Sequence, residues 1–496
     1  MKPVYKYILW TIFLVTFVSR LYFAFQTEGY SDDSAYYIIR EVEHIKETGL
    51  PLYNDELSFS GRTYLSAPLY HYILAFFDYI IPYSFKIIPN LFASILIFIV
   101  FFIAIEISKK NVASLFTAFI SGFVPIFFGK TVNSISVYSL VIPLTFFMML
   151  CLLKINNDKR FILYFIISSF ALALTHASAF LIMLALLVYL IFIKIEDFTA
   201  SKAEFELILF STLLITWIQF LLYKNAFLTH GVSLIWQNIP KVLLSAYFVE
   251  LDLLKAIYVI GLVPFIFGIY IIYHSIFREK KKYVYLLISF IVIILLLLWL
   301  RLVELDKGLI FLGILLTLMF SYFLRRFLLF LERTRVSAYK NYFIFGFVIV
   351  FIISSVIPSF ILASSEIELS FSDEELKALT WLRENTEDDS VILASAQEGN
   401  IITNVAKKKN VLDTNFLLIN NIDQRIKDVK IIFLTVLQTE AISLLNKYNV
   451  DYIYFSERAK EEYRIDKISY IDDICFDLIY DKGIEIYEVK CRLEEQ

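Results

Sequence analysis

Two adjacent carboxylates stand out in the stretch EGYSDDSAYYIIREVEHIKETGLP, residues 28–51. Asp32 and Asp33 lie at the start of a predicted helix, because later side chains recur at spacings of three and four residues. A carboxylate fixed there can accept a proton from a hydroxyl or bind a divalent cation. The pair can equally cap the helix, since aspartate is favoured at helix N-termini. The sequence leaves both roles open.

Other candidates lie elsewhere in the chain. Asp55, in LYNDELS, is a third acid of the same polar stretch or a solvated turn residue. Arg20 ends the first apolar run, where an arginine is usually paired or functional, or else extends to the lipid headgroups. Arg301 and Lys307, in RLVELDKG, are basic residues of a tight turn between two apolar runs. They are candidates for binding a phosphate, with interfacial anchoring as the alternative.

Composition places all these residues in a membrane protein. The chain of 496 residues is 59% hydrophobic and 17% aromatic, with mean hydropathy +0.70, whereas soluble domains are roughly 45–50% apolar. A net charge of −3 argues against a nucleic-acid partner. Three cysteines cannot build a disulfide framework or a Cys-rich zinc site. The first apolar run has no small-residue cleavage site after it, which predicts an anchor rather than a removed signal.

About eleven runs have the length and apolar character that a span needs. They lie near residues 6–25, 86–107, 112–128, 135–153, 161–176, 178–194, 205–223, 254–276, 283–300, 308–324 and 342–363. A shorter run near 66–82, bounded by prolines, is predicted to be an interfacial or re-entrant helix. Lysines and arginines concentrate in alternate loops, which predicts a cytoplasmic N-terminus. Two large segments then lie outside the membrane: the first outer loop, 26–85, and the tail, 364–496.

The tail has the pattern of a soluble α/β domain. Ser372 followed by three acids predicts a helix start, and VILASA and VDYIYFS read as buried strands. CFDLIYDKGIEIYEVK predicts a hairpin that turns at residues 481–483. Cys475 and Cys491 fall on its two arms, and a disulfide between them is left open. We therefore divide the chain into a membrane domain, 1–363, and an extracytoplasmic α/β domain, 364–496.

The first loop resembles that of GT-C class glycosyltransferases of the protein-mannosyltransferase-like branch. The matching residues, in order, are Arg20, Asp32, Asp33, Tyr36, Gly49 and Pro68-Leu69-Tyr70. The resemblance implies a polytopic α-helical membrane enzyme that takes a sugar from a polyprenyl-phosphate carrier. In this alignment Asp32 is the leading acid.

The tail resembles the outer domain of archaeal oligosaccharyltransferase catalytic subunits, with three departures. That family carries a Trp-Trp-Asp-Tyr-Gly motif for reading the acceptor sequon, and SAQEGN, residues 395–400, stands in its place. GKTVNSISVYS, residues 129–139, has no carboxylate where the family has an acidic pair. Gln237 stands where the family has a catalytic glutamate, and an amide is neither a base nor a strong cation ligand.

The resemblance and its departures imply an inverting transferase with Asp32 or Asp33 as catalytic base. Inversion is expected because a base-assisted single displacement inverts the sugar carbon. A divalent cation, Mg or Mn, held by Asp32 and Asp33 is left open. The expected partners are membrane lipids, a polyprenyl-phosphate sugar donor and a protein or glycan acceptor. The implied substrate-binding residues are Arg20, Tyr36, Asp55, Gln237, Arg301 and Lys307.

Two alternatives from other classes stay open at this point. The missing acids are compatible with a catalytically inactive relative that serves as a scaffold. A transporter or flippase of lipid-linked glycans is the other possibility, although it predicts inverted repeats and broken helices, and no clear repeat is visible in the sequence.

Overall fold

The protein is described by a computed structural model that covers residues 2–64, 66–231, 240–243 and 252–492. The chain divides into two compact units. The membrane unit consists of Met1–Gln26, Ala67–Leu222 and Phe248–Glu368. The tail unit consists of Thr27–Ser66, Tyr223–Tyr247 and Leu369–Gln496. Residues 27–66, placed by the sequence division in the membrane domain, therefore group with the tail.

The membrane unit is helical. Six helices of the described chain are long and apolar enough to cross a bilayer, and two bent pairs, with bends of 43° and 100°, raise this number to as many as eight. Three further apolar helices are shorter. The eleven apolar runs coincide in position with these helices and pairs, but the three short ones have 16 or 17 residues, or roughly 25 Å. The prolines around 66–82 bound a helix of only 10 residues, Leu69–Asp78.

In chain order the helices of this unit are Pro3–Ala24, Leu69–Asp78, Ser84–Ser108, Asn111–Gly122, Pro125–Val132, Tyr138–Lys154, Arg160–Thr175, Ala179–Ile195, Lys202–Leu222, Leu253–Ile260, Leu262–Phe277, Lys282–Trp299, Leu305–Arg333, Lys340–Phe351 and Ile357–Glu368. Ser84–Ser108 packs against Pro3–Ala24, Asn111–Gly122 and Tyr138–Lys154. Hydroxyl side chains in these helices bond back to their own backbone; Ser94 Oγ donates to the carbonyl of Asn90 at 2.8 Å. Such bonds satisfy polar groups that have no water to bond in the bilayer.

The tail unit contains a five-stranded sheet in the order β4-β3-β5-β7-β6. The strands are β3 Val391–Leu393, β4 Lys409–Asn410, β5 Tyr452–Phe455, β6 Phe476–Asp481 and β7 Glu485–Val489, and a separate hairpin pairs β1 Asn54–Asp55 with β2 Arg62–Thr63. β3 is parallel to β4 and β5, whereas β7 is antiparallel to β5 and β6. Helices of the unit are Ser34–Thr48, Lys224–His230, Asp373–Asn385, Gly399–Ile401, Ile422–Leu434, Gln438–Lys447 and Glu457–Tyr463.

The predicted local features of the tail are present. Ser372 forms a capping box with Glu375, and the hairpin turns at residues 482–484, one residue later than expected. Cys475 and Cys491 form a disulfide, which resolves the pairing that the sequence left open.

Residues 27–66 of the first loop are an integral part of the tail unit. Phe59 lies in the hydrophobic core beside Val411 and Leu412. Its backbone N–H donates to Asn410 Oδ1 at 2.6 Å, and the N–H of Asn410 donates to the carbonyl of Leu57 at 3.0 Å. Residues more than 350 positions apart therefore form one folded unit.

Candidate functional site

The two adjacent aspartates have different environments in the tail unit. Asp33 is 6% exposed. Its Oδ1 accepts the backbone N–H of Ile401 at 2.9 Å. Its Oδ2 accepts the backbone N–H and the side-chain Nδ2 of Asn400, at 3.1 and 2.6 Å. Burial raises the pKa of Asp33 well above its usual range, and the three N–H donors oppose that rise. Both oxygens of Asp33 are thus used to hold the first loop to the segment after β3.

The turn that receives Asp33 depends on a glycine. A Cβ at Gly399 would lie 2.2 Å from the carbonyl oxygen of Leu412 and 2.5 Å from the Asp413 side chain. The absence of a side chain therefore lets residues 399–401 pack closely against 412–413. This packing holds the amides of Asn400 and Ile401 in position for the carboxylate.

Asp32 is half-buried and lies one residue before Asp33, the N-cap position of the helix Ser34–Thr48. Its Oδ1 accepts the backbone N–H of Ala35 at 2.9 Å and the Ser34 hydroxyl at 2.6 Å. These bonds fix the orientation of the carboxylate at the start of the helix. Of the two aspartates, Asp32 is the more accessible, so this geometry favours Asp32 over Asp33 for a role in chemistry.

Asp55 and Tyr36 are buried in the interior of the tail unit. Asp55 forms an ion pair with Arg40 and accepts the backbone N–H groups of Leu57 and Ser58, at 3.0 and 3.1 Å. The hydroxyl of Tyr36 accepts the backbone N–H of Tyr30 at 3.2 Å. These contacts stabilise the loop.

Tyr36 also packs against the tail, since its ring lies 5.3 Å from the ring of Phe371. Burial raises the pKa of its hydroxyl above the ordinary value. The substrate-binding roles expected for Tyr36 and Asp55 stay predictions, and their surroundings favour a structural role.

The segment SAQEGN places a second buried acid next to Asn400. Glu398 accepts the backbone N–H of Ser395 at 3.3 Å and the hydroxyl of Ser456, and it is fully buried. Burial raises the pKa of Glu398 to about 7. The side chains of Glu398 and Asn400 in this segment thus bond within the tail unit.

Arg20 lies inside the membrane unit and is 1% exposed. Its Nε donates to Asn90 Oδ1 at 2.9 Å, its Nη2 donates to Thr131 Oγ1 at 2.5 Å, and its guanidinium lies 5.0 Å from the ring centroid of Phe128. Among the described residues no carboxylate forms an ion pair with Arg20. These contacts join three helices, Pro3–Ala24, Ser84–Ser108 and Pro125–Val132, and the substrate-binding role expected for Arg20 stays a prediction.

Lys86 is a buried cation that the sequence analysis missed. Its Nζ donates to the carbonyl of Ala24 at 2.8 Å and to Asn133 Oδ1 at 2.9 Å. Asn90, which holds Arg20, also donates to the carbonyl of Lys86 at 2.8 Å. A lysine at the first position of an apolar run is typical of an interfacial anchor, so its burial was not visible in the sequence. The signal that could have revealed it is Asn133, a second polar residue bordering an apolar run.

The segment GKTVNSISVYS has no acidic residue of its own, but its Lys130 pairs with carboxylates from other helices of the membrane unit. Lys130 Nζ lies 2.6 Å from Glu366 and 3.5 Å from Asp306. Lys307 Nζ lies 5.0 Å from the centroid of the Tyr138 ring, which lies 5.1 Å from the ring of His176. Within the described chain, Lys307 forms no ion pair with a carboxylate.

The last two predicted substrate-binding residues are Arg301 and Gln237. Arg301 is exposed and has a left-handed backbone with φ of 56°. Gln237 lies outside the described residues.

The residues present do not fit a divalent cation between the two aspartates. Both Asp33 oxygens accept N–H groups of Asn400 and Ile401, and Asp32 Oδ1 accepts the Ser34 hydroxyl and the Ala35 N–H. Over the described ranges, no three His, Cys, Asp or Glu side chains form a group that could hold a metal ion.

Comparison with solved structures shows the fold of the chain. No family model and no curated protein matches the sequence. The Archaeoglobus fulgidus oligosaccharyltransferase tethered to an acceptor peptide with an NVT sequon matches with a TM-score of 0.72, at 14% identity over 92% of this chain and 69% of that chain. AglB of the same organism, in complex with an inhibitory peptide and a dolichol-phosphate, gives 0.69, at 15% identity over 90% and 69%. The chain has the GT-C fold.

A second GT-C protein matches over nearly the whole length of both chains. ArnT of Cupriavidus metallidurans, bound to undecaprenyl phosphate, has a TM-score of 0.54 and 10% identity, over 98% of each chain. The A. fulgidus oligosaccharyltransferase is also known in complex with Zn and sulfate. These matches confirm the predicted class, a polytopic α-helical GT-C fold with a C-terminal sheet domain.

The different contacts of the two aspartates predict different losses of stability. Asp33→Ala leaves the amides of Asn400 and Ile401 without an acceptor, at a cost of about 3 kcal/mol or more. Asp32→Ala removes only a helix cap, at about 1 kcal/mol. We expect hydrogen exchange at residues 400–401 to accelerate strongly in Asp33→Ala and little in Asp32→Ala. Equal acceleration of hydrogen exchange in both variants would contradict the conclusion that Asp33, and not Asp32, accepts these amides.

The raised pKa of Glu398 makes the free energy of unfolding of the tail unit depend on pH. Because its folded pKa of about 7 exceeds its ordinary value of 4.5, the folded state retains a proton that the unfolded state loses between those values. Its contribution to stability is full below about pH 4.5 and is lost as the pH rises to 7, by about 3 kcal/mol in total. We expect Glu398→Gln to flatten this part of the stability profile in chemical unfolding. An unchanged slope would show that Glu398 ionises normally in the folded protein.

Proposed function

We propose that this chain is a glycosyltransferase that moves a sugar from a polyprenyl-phosphate carrier to a hydroxyl acceptor, with Asp32 as the general base. The GT-C fold supports the reaction class, since the solved neighbours include an oligosaccharyltransferase and a protein bound to undecaprenyl phosphate. We also propose that the tail unit lies on the outer side of a cell membrane, as the distribution of basic residues predicts.

The observation that carries the proposal is the contrast between Asp32 and Asp33. Asp33 and Asp55 are buried and bonded to groups of the tail unit. Asp32 is held at the same helix start but is only half-buried, so it is more accessible than Asp33. A general base needs a fixed position and access to the acceptor hydroxyl. Asp32 combines the two, and Asp33 supplies the anchoring of the loop on which Asp32 lies.

The proposed reaction is a single displacement. The acceptor hydroxyl oxygen forms a bond to the anomeric carbon while the bond from that carbon to the phosphate oxygen breaks. The hydroxyl proton passes to the Asp32 carboxylate, and the polyprenyl phosphate leaves with the electron pair. Attack on the face opposite the phosphate inverts the configuration of the sugar carbon. We propose this step without a cation, because the described residues around Asp32 and Asp33 form no group that could hold one.

The membrane unit offers Lys307 as a partner for the phosphate. Its ammonium lies over the Tyr138 ring, beside His176, and forms no ion pair within the described chain. A cation without a carboxylate partner in the described chain can bind the phosphate of the lipid carrier. Lys130, by contrast, is paired with Glu366 and Asp306.

We further propose that the acceptor is not read as an asparagine sequon. The Trp-Trp-Asp-Tyr-Gly motif is absent, and Glu398 and Asn400 of the substituted segment bond to Ser456 and Asp33. A carboxylate base such as Asp32 can accept the proton of a hydroxyl acceptor on a protein or glycan. A catalytically inactive scaffold is the conclusion if the wild-type protein itself transfers no sugar in the assay below.

Substitution of Asp32 tests the catalytic role. We expect Asp32→Asn to lower sugar transfer by roughly 10²–10⁴-fold, the usual contribution of a general base. Glu28→Gln, at an exposed acid of the same stretch, should have no effect. The assay follows release of polyprenyl phosphate from labelled polyprenyl-phosphate hexoses, with native membranes supplying the acceptor. Wild-type turnover in Asp32→Asn would contradict the proposal, and loss of turnover with a chelator would contradict the cation-free mechanism.

Substitution of Lys307 tests the phosphate contact. We expect Lys307→Gln to weaken binding of polyprenyl phosphate to the purified full-length protein by about tenfold or more, because a charged hydrogen bond is lost. Lys307→Arg keeps the charge and should bind within a few-fold of the wild type. Equal binding by all three proteins would exclude Lys307 from the phosphate site.

A further inference from the structure

The tail unit has an apolar surface on the outer side of the helix Ile422–Leu434. The inner face of this helix is buried through Ile426, Val429, Ile432 and Phe433. Its outer face presents Ile431 and Leu434, which are 36% and 41% exposed, and the following turn presents Val436 and Leu437. We call these four residues, with Lys427 and Lys430, the 427–437 patch. Contiguous exposed aliphatic side chains of this kind usually mark an interaction surface.

The charges of the patch are positive. Lys427 and Lys430 lie one helical turn apart and flank Ile431 and Leu434 in a shallow depression of about 420 Å³. In the described chain neither lysine forms an ion pair. Glu440, at the edge of the depression, already accepts the Thr435 hydroxyl at 2.6 Å.

We propose that the 427–437 patch binds the surface of a bilayer that contains anionic lipid. Aliphatic side chains beside lysines are the pattern by which a helix lies in the headgroup region, with the lysines on the lipid phosphates. The same chain carries bilayer-spanning helices, so the tail unit is tethered to a membrane and even weak contacts are populated. Each lysine near an anionic surface contributes about fivefold in binding. This inference is independent of the transferase reaction.

The test uses the full-length protein in nanodiscs, with a bimane fluorophore on an introduced cysteine. Leu434→Cys reports the patch. Leu478→Cys is the matched control, since Leu478 is a leucine that is 49% exposed on β6, next to Asp477, whose carboxylate pairs with Lys490. In discs of phosphatidylcholine with phosphatidylglycerol, we expect headgroup spin labels to quench bimane at 434 and not at 478. In phosphatidylcholine alone, or with Lys427→Gln and Lys430→Gln together, quenching at 434 should fall several-fold.

Two results would overturn the proposal. Quenching at 434 no greater than at 478 in anionic discs would show that the patch does not meet the lipid. Shielding of the probe at 434 that is equal in detergent and in both kinds of disc would show that a protein surface, from this chain or a second copy, covers the patch instead.

Discussion

The organisation of the tail unit depends on one buried carboxylate and the amides that it accepts. Asp33 receives three N–H groups from Asn400 and Ile401, and a buried donor without an acceptor is expensive. Because residues 27–66 and 369–496 are separated by the membrane helices in sequence, such contacts decide that they fold together. The position of Asp32 follows from this arrangement, since the two residues are neighbours at the start of one helix.

Other buried polar contacts also hold residues 27–66 in place. Arg40 and Asp55 form a buried ion pair in the interior of the tail unit. Arg62 donates hydrogen bonds to the backbone carbonyls of Asn415 and Leu417. These polar contacts carry directional requirements, so they fix the register of the loop against the sheet more narrowly than apolar packing does. A loop held in this way can present a half-exposed carboxylate in one orientation, which is what general-base chemistry requires.

Much of the fold follows from sequence because its signals are local. Apolar runs predict the membrane helices, and Ser372 with Glu375 predicts a helix start that the structure confirms. The bent pairs were less visible, since a bend at residues 123–124 or at Gly261 hardly changes hydropathy. The grouping of the loop with the tail was not predictable, because Phe59 and Asn410 are hundreds of residues apart.

The candidate site, like the fold, could be predicted only in part from the sequence. Residue types and family resemblance point to both Asp32 and Asp33, but only the fold distinguishes the half-buried acid, Asp32, from the buried one, Asp33. Lys86 and the Lys130 ion pairs were missed because their partners, such as Asn133 and Glu366, are brought close by helix packing. The missing sequon motif was visible in the sequence, whereas the use of Glu398 and Asn400 as internal bonding groups required the structure.

The separate roles of Asp32 and Asp33 can be distinguished by the turnover per folded molecule of Asp32→Asn and Asp33→Asn, measured side by side at saturating donor. We expect a large loss of turnover for Asp32→Asn with near-normal folding. For Asp33→Asn we expect a reduced folded fraction, whose surviving molecules turn over at a rate close to wild type. The reverse pattern, with Asp33→Asn folded and inactive and Asp32→Asn active, would contradict the separation of the two roles.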